Sequence, residues 1–266
     1  MFNTLFSKNK SNTYGWFGNY SSWAKASEVA GGYDAAVILE KTKESMLKVK
    51  NGEAVYERDS VIFDKKQCPY SLLAFLQLSA TLKKKALHVL DFGGALGSTY
   101  FQIKEFLTKE ICASWSVVEQ SHYVDCGNQN FADGTLKFYS TIEDCRAEKR
   151  IDFMLLSSVV QYLEKPHQFL KQVLAYGFDF LLFDRTAFNN KLDDRLTLQI
   201  VPPEIYPASY PSWFFNQDFF LSHFEKNYKL VAEFPSYVDG EQVMYIDGKP
   251  SGKDKGFYLI NLLLHA

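Results

Sequence analysis

The stretch LDFGGALGSTYF, residues 90 to 101, sets an acid and three glycines between an apolar run and a helix-like segment. Glycines at such a junction let a ligand approach the backbone closely, and the acid restricts which ligand that can be. A dinucleotide-binding G-x-G-x-x-G laid on Gly94 and Gly97 needs a glycine where Phe92 stands. The chain also lacks the G-x-x-x-x-G-K-S/T of a phosphate-binding loop. Asp91, at the expected strand end, repels a pyrophosphate but suits a ligand with a cationic amino group. S-adenosylmethionine has an ammonium, a sulfonium and no phosphate. Glu119 ends the next apolar run, at about the 20-residue distance where an acid accepts hydrogen bonds from ribose hydroxyls. Taken singly, Asp91 also reads as a helix N-cap and Glu119 as an exposed strand end.

These residues need a frame to position them. From residue 86, apolar runs at 86–92, 114–120, 136–141, 151–158 and 178–184 alternate with helix-like segments such as STYFQIKEFLTKE and KPHQFLKQVLAYG. Near-continuous apolar strands joined by helices predict a parallel sheet covered on both faces. A helix near 217–226 and strands at 228–236 and 256–264 follow. The expected fold class is α/β: a Rossmann-like, doubly wound, mostly parallel seven-stranded sheet. Its ligand belongs beyond the carboxyl ends of the strands, where strand order reverses, and LDFGGALG lies next to the first strand. Residues 1–85 read as a mostly helical N-terminal cap, 86–266 as the Rossmann-like domain, and 186–216 as an aromatic-rich insertion after the fifth strand forming a substrate lid.

Composition narrows the partners. A net charge of −2 offers no basic stripe for nucleic acid. No apolar run approaches 18 residues, so no membrane span is expected, and MFNTLFSKNK does not read as a signal peptide. Cys68, Cys112, Cys126 and Cys145 are scattered without a C-x-x-C pair, which fits a reducing cytoplasm and suggests no metal site. Aromatics reach 16% and cluster at 14–23 and 205–220. They read either as packing material or as stacking faces for a sugar or planar group, with Trp23, Tyr206, Tyr210 and Trp213 as the faces.

Asp91-Phe92-Gly93-Gly94-Ala95-Leu96-Gly97 resembles the acid-x-G-x-G-x-G motif of class I S-adenosylmethionine-dependent methyltransferases, with alanine for the middle glycine. A wider set of segments resembles a narrower family, the methyltransferases of bacterial surface-polysaccharide (O-antigen or capsule) gene clusters. They are GWFGNYSSW, GGYDAAVILEK, AVYERDSVIFD, LDFGGALGS, SSVVQYLEKP and FDRTAF…DDRLTLQIVPPEIYPASYPSWFF, spanning about residues 15 to 220. The resemblance implies S-adenosyl-L-methionine as cofactor and a small-molecule or glycan acceptor. It implies Asp91, Gly93, Gly94 and Gly97 around the methionyl group, Glu119 on the ribose, and Gln120 beside the adenine. Thr141 and Ile142 would flank the adenine rim, Ser157 and Ser158 the sulfonium, and Tyr33 would fold over the cofactor. Gln161 and Tyr162 would touch the acceptor.

Methyl transfer to oxygen requires alignment, exclusion of water and commonly a base. Asp184 closes the fifth strand as a candidate base. Its neighbour Arg185 could hold an anionic acceptor group, or the two could form a local ion pair. His122, just past the second strand, is a further candidate, and Arg58 is either a contact for a phosphate or carboxylate or neutralised by Glu57 and Asp59 beside it. The expected activity is O-methylation of a sugar, nucleotide sugar or glycan intermediate. Methylation of another small molecule, and a non-catalytic binding protein of the same fold, are the alternatives.

Overall fold

The computed structural model describes residues 13–32, 35–65 and 67–265. In chain order, β1 (Gly15–Phe17), α1 (Trp23–Val29), α2 (Ala35–Lys50), β2 (Tyr56–Arg58), β3 (Val61–Phe63) and α3 (Tyr70–Lys83) precede the alternating region. That region runs β4 (Leu87–Phe92), α4 (Ser98–Ile103), β5 (Cys112–Val118), α5 (Ser121–Asn130), β6 (Leu136–Tyr139), α6 (Ile142–Glu148), β7 (Phe153–Ser157), α7 (Pro166–Tyr176) and β8 (Phe180–Asn189). After it come β9 (Arg195–Ile200), β10 (Ser209–Phe214), α8 (Gln217–Ser222), β11 (Tyr228–Pro235), β12 (Met244–Ile246) and β13 (Lys249–Asn261).

Strands β6, β5, β4, β7 and β8 lie side by side and parallel. β13 adds antiparallel to β8, and β11 antiparallel to β13. This is the doubly wound α/β sheet the strand–helix alternation predicts, with order reversing between β4 and β7. Both faces are buried, and successive side chains divide between two cores as the period of two demands. Val89, Phe153, Leu155, Phe180 and Leu182 enter one core, while Leu90, Met154, Leu156, Leu181 and Phe183 enter the other.

The sheet is larger than seven strands. β8 and β13 run beyond the end of β7, and their extension continues through β12, β1, β9 and β10, giving 11 strands in all. Residues 186–216 therefore continue β8 and then form the antiparallel pair β9–β10. β1 is wedged between β9 and β12, although it lies within the segment expected to form a mostly helical cap. A second departure from the helical reading is the hairpin β2–β3. Its turn residues Asp59 and Ser60 are both left-handed, at φ 54° and 66°, as the twist of a tight hairpin requires. Glu57 accepts the Ser60 N–H at 2.6 Å, so a buried carboxylate closes that turn.

A bulge in β8 sets up the site. Lys255 pairs with Thr186 and Phe257 with Phe183, so Gly256 faces two residues, Asp184 and Arg185. Arg185 takes φ 48° there, a left-handed geometry that turns its side chain out of the regular alternation.

No helix among the described residues is long and apolar enough to cross a membrane.

Candidate active site

A cavity of about 940 Å³ opens at the carboxyl ends of β4, β5 and β7, where strand order reverses. Two loops define its floor. Gly93 follows β4 at φ 73°, and a side chain there would meet Val159, after β7, at 2.5 Å. Only glycine satisfies both the backbone geometry and the contact. Ala95 occupies the middle-glycine position at φ 49°, so the loop keeps its left-handed turn at a modest strain cost.

Asp91 does not line the cavity. It is 1% exposed and lies under the loop, so close to Gly94 that a Cβ on Gly94 would sit 2.6 Å from its Oδ2. The Trp115 indole N–H donates to Oδ2 at 3.2 Å. Burial pushes the Asp91 carboxyl up to about 7, against the pull of that hydrogen bond. The acid thus supports the glycine loop from beneath, and the indole bond occupies one of its oxygens. Gly97 begins α4 and packs on Leu136, away from the cavity lining.

Glu119 does line the cavity. Its Oε2 accepts the Gln120 N–H at 2.7 Å, and a second backbone bond from Ala95 ties it to the glycine loop. Burial raises its pKa, and the two N–H donors oppose the rise. Gln120 lines the cavity beside it, as do Tyr123 and Ser140. Thr141 and Ile142 do not. The Thr141 hydroxyl caps α6 by accepting from Asp144 at 3.0 Å, and Ile142 is buried in the second core. Ser140, one residue earlier, takes the position on the rim. Tyr33 lies outside the described residues.

After β7, Ser158 lines the cavity at φ 51°, whereas Ser157 turns inward and donates to Asp184 at 3.1 Å. Asp184 is buried, does not line the cavity, and is pushed up to about 6 by burial. Arg185 reaches the cavity, but its Nε contacts Glu241 at 3.2 Å and its Nη2 lies 3.6 Å from Asp59. The sequence reading of Asp184 and Arg185 as a local pair at the strand end understates this network, because Asp59 and Glu241 come from distant turns. His122 is partly buried on α5, near Glu119 but outside the lining, and its Nε2 has no hydrogen-bond partner among the described residues.

The aromatic candidates separate. Trp23, Tyr162, Tyr206 and Tyr210 line the cavity, with Tyr162 edge-on to Tyr210 at 5.4 Å. Trp213 stands behind Trp23, stacked at 6.5 Å, with its indole N–H donating to the Leu163 carbonyl. Arg58 lines the cavity from the β2–β3 hairpin, held by Gln67 at 3.2 Å and lying over the Phe63 ring. Gln161 lines it from the turn after β7. Asp59 joins them from beside Arg58, and Glu241 and Asp254 join although nothing in their local sequence singles them out. Asp254 lies in GKDKG, a polar run just ahead of the expected strand 256–264, and is part of β13.

One titration tests the buried acid under the loop. A carboxyl raised by burial contributes stability below its unfolded value, near 4, and loses it as pH rises through its folded value. For Asp91 that window runs from about pH 4 to about pH 7. Glu57, also pushed up to about 7, and Asp184, at about 6, act with the same sign. The thermal midpoint is expected to fall between about pH 4 and about pH 7. Asp91→Asn should shrink that fall, and an equal fall in the variant would show that Asp91 is ionised throughout.

No protein-family model matches the chain. No curated protein matches it either. Solved structures do resemble it. The N-terminal domain of EvdMO1 with SAH bound aligns over 86% of this chain and 98% of its own, at 10% identity and a TM-score of 0.49. Magnesium protoporphyrin IX methyltransferase from Synechocystis PCC 6803 with bound SAM aligns over 71% and 76%, at 10% identity and 0.43. SAM-bound CalS10, an amino pentose methyltransferase from Micromonospora echinaspora, aligns over 71% and 90%, at 9% identity and 0.43.

Proposed function

We propose that the chain is an S-adenosylmethionine-dependent methyltransferase that O-methylates a sugar, nucleotide sugar or glycan intermediate of surface-polysaccharide synthesis. The carrying observation is electrostatic. The glycine loop and Glu119 open into one cavity, and the only cationic side chains lining it among the described residues, Arg58 and Arg185, both face carboxylates. Such a cavity suits a nucleoside cofactor without phosphate and disfavours a dinucleotide, whose pyrophosphate needs unopposed donors; a nucleotide-sugar acceptor would insert only its sugar and leave its diphosphate outside.

When bound, this cofactor supplies an electrophilic methyl group on a sulfonium. The chain's own part is to hold and orient. The Gly93–Ala95 backbone accommodates the methionyl portion, Glu119 accepts from the ribose hydroxyls, and Gln120 and Ser140 border the base. Ser158 and Gln161 stand where the acceptor meets the methyl group. Trp23, Tyr162, Tyr206 and Tyr210 wall the acceptor space and exclude water, which preserves alignment for in-line displacement. Asp184, withdrawn from the lining, acts by fixing Ser157 at the strand end.

Thermal unfolding with S-adenosylhomocysteine, with NAD as control, tests the cofactor assignment. A ligand at about a hundred times its dissociation constant stabilises by about 2.7 kcal/mol, several degrees for a chain of this size. A rise with the homocysteine product and none with NAD is expected. A rise with NAD alone, or with neither, overturns the reading.

A further inference from the structure

Where the turn after β7 meets the extended parts of β8 and β13, the cavity is lined by Gln161, Arg185, Glu241 and Asp254, with Asp59 opposite from the β2–β3 hairpin. Gln161 is 3% exposed, and its Nε2 donates to the Arg185 carbonyl at 3.1 Å and to Ser158 Oγ at 3.3 Å. A carbonyl can only accept, so the amide orientation is fixed and Oε1 is the free end. That Oε1 is buried and has no hydrogen-bond partner among the described residues. The same holds for Oδ1 of Asp254, a residue 5% exposed. Buried polar atoms without partners are uncommon and demand an explanation. Here two occur on residues lining one cavity: the amide oxygen is an acceptor, and the carboxyl oxygen becomes one when Asp254 ionises.

Charge points the same way. Four carboxyls, from Asp59, Asp184, Glu241 and Asp254, surround the two guanidinium groups of Arg58 and Arg185. Arg185 is engaged by Glu241 and Asp59, and Arg58 by Gln67 and, more distantly, Asp59. An anionic ligand would find no uncommitted cation among these residues, whereas a cation would draw Asp254 into its ionised form and so find carboxylates in excess of guanidiniums. Burial and the neighbouring Glu241 charge hold the Asp254 carboxyl well above the usual carboxylate range, against the opposing effect of Arg185, and a bound ammonium would reverse that.

We propose that this corner is an acceptor subsite for an amino group, with Asp254 Oδ1 and Gln161 Oε1 taking its N–H donors. Resting on the methyl-transfer reading above, this makes the acceptor an amino sugar, neither acidic nor phosphorylated on the ring that enters. Trp23, Tyr162 and Tyr210 provide apolar faces for the ring, and a hydroxyl of the anchored ring is the group presented for methylation.

Calorimetric titration of the protein loaded with S-adenosylhomocysteine tests the subsite. The probes are glucosamine, galactosamine and mannosamine, each beside its parent hexose, with glucuronate as the anionic arm. At least one hexosamine should bind about tenfold or more tighter than its hexose, the worth of a charge-assisted bond, and glucuronate should not bind. Asp254→Asn should remove most of that preference while leaving homocysteine-product affinity unchanged. Gln161→Met should weaken hexosamine binding in a second variant, should the first fold poorly. Equal binding of hexose and hexosamine, stronger binding of glucuronate, no hexosamine binding, or a preference that survives both substitutions overturns the proposal. The titrations are repeated without the homocysteine product. If that product fails to bind, the methyltransferase reading falls, and the hexosamine result still decides the subsite.

Discussion

Glu119→Gln is expected to weaken S-adenosylhomocysteine binding by roughly 10- to 100-fold while leaving the unliganded fold intact. The carboxylate already holds the Gln120 and Ala95 N–H groups, which fixes its orientation at the edge of the cavity. An amide of the same shape keeps acceptor oxygen for the backbone but loses the charge that strengthens bonds from two ribose hydroxyls. Charged hydrogen bonds contribute about 1.5–3 kcal/mol where neutral ones contribute about 1, which gives the stated range. Calorimetry on both proteins reads the effect, with the unliganded melting midpoint as control. Equal affinities would mean that the ribose lies elsewhere and that Glu119 only pins the loop.

The second large effect concerns stability. Trp115→Ala should cost about 3–5 kcal/mol, because the side chain is fully buried in the first core and truncation leaves a cavity. For a chain of this size that corresponds to a midpoint lower by on the order of 10 °C. Two losses combine in this substitution, the packing against Tyr100 and the hydrogen bond to Asp91. Trp115→Phe separates them. It keeps most of the packing but strands a buried carboxyl, for about 1–3 kcal/mol. A phenylalanine variant as stable as the parent would show that the indole N–H is dispensable and that the loop does not depend on Asp91 being held from below.

The parallel half of the sheet was legible in the sequence because its signal is local. Each strand from β4 to β8 is a short apolar run buried on both faces, followed by a helix of matching period, and the glycine loop falls at the first junction. The antiparallel extension was not legible, because its strands are defined by partners far away in the chain. β1 is only three residues long, and β9 and β10 come from a segment whose prolines and aromatics read as a loop. β13 begins in the polar run KPSGKDKG, which forms a strand because the long β8 offers it an edge. The same distinction applies within the site. Gly93, Glu119 and Gln120 could be placed from a motif at a strand end. Asp59 and Glu241 are brought to the cavity by turns distant in the chain, and Asp254 by the pairing of β13 with β8, a partnership that leaves no local pattern. Asp91 was found for its position, but the Trp115 bond that keeps it under the loop depends on the pairing of β4 with β5.

The extension has a consequence for the order of assembly. β1 is joined to a segment far along the chain: Gly18 donates to Asp247 across 229 residues, Asp247 donates back to the Trp16 carbonyl, and Arg195 contacts the same Asp247 carboxylate at 2.6 Å. Contacts of such sequence separation carry the largest loop-closure entropy and form late. On a ribosome, the strands β4 to β8 emerge and can pair well before residues 244–246 exist, but the wall of the cavity built from β1, β9 and β10 cannot lock until they do. The glycine loop is therefore an early product of folding and a closed cavity a late one. A nascent chain would pass through a stage with the cofactor-side loops in place and no enclosure around them, so competence to exclude water arrives only once residues 244–246 have been made.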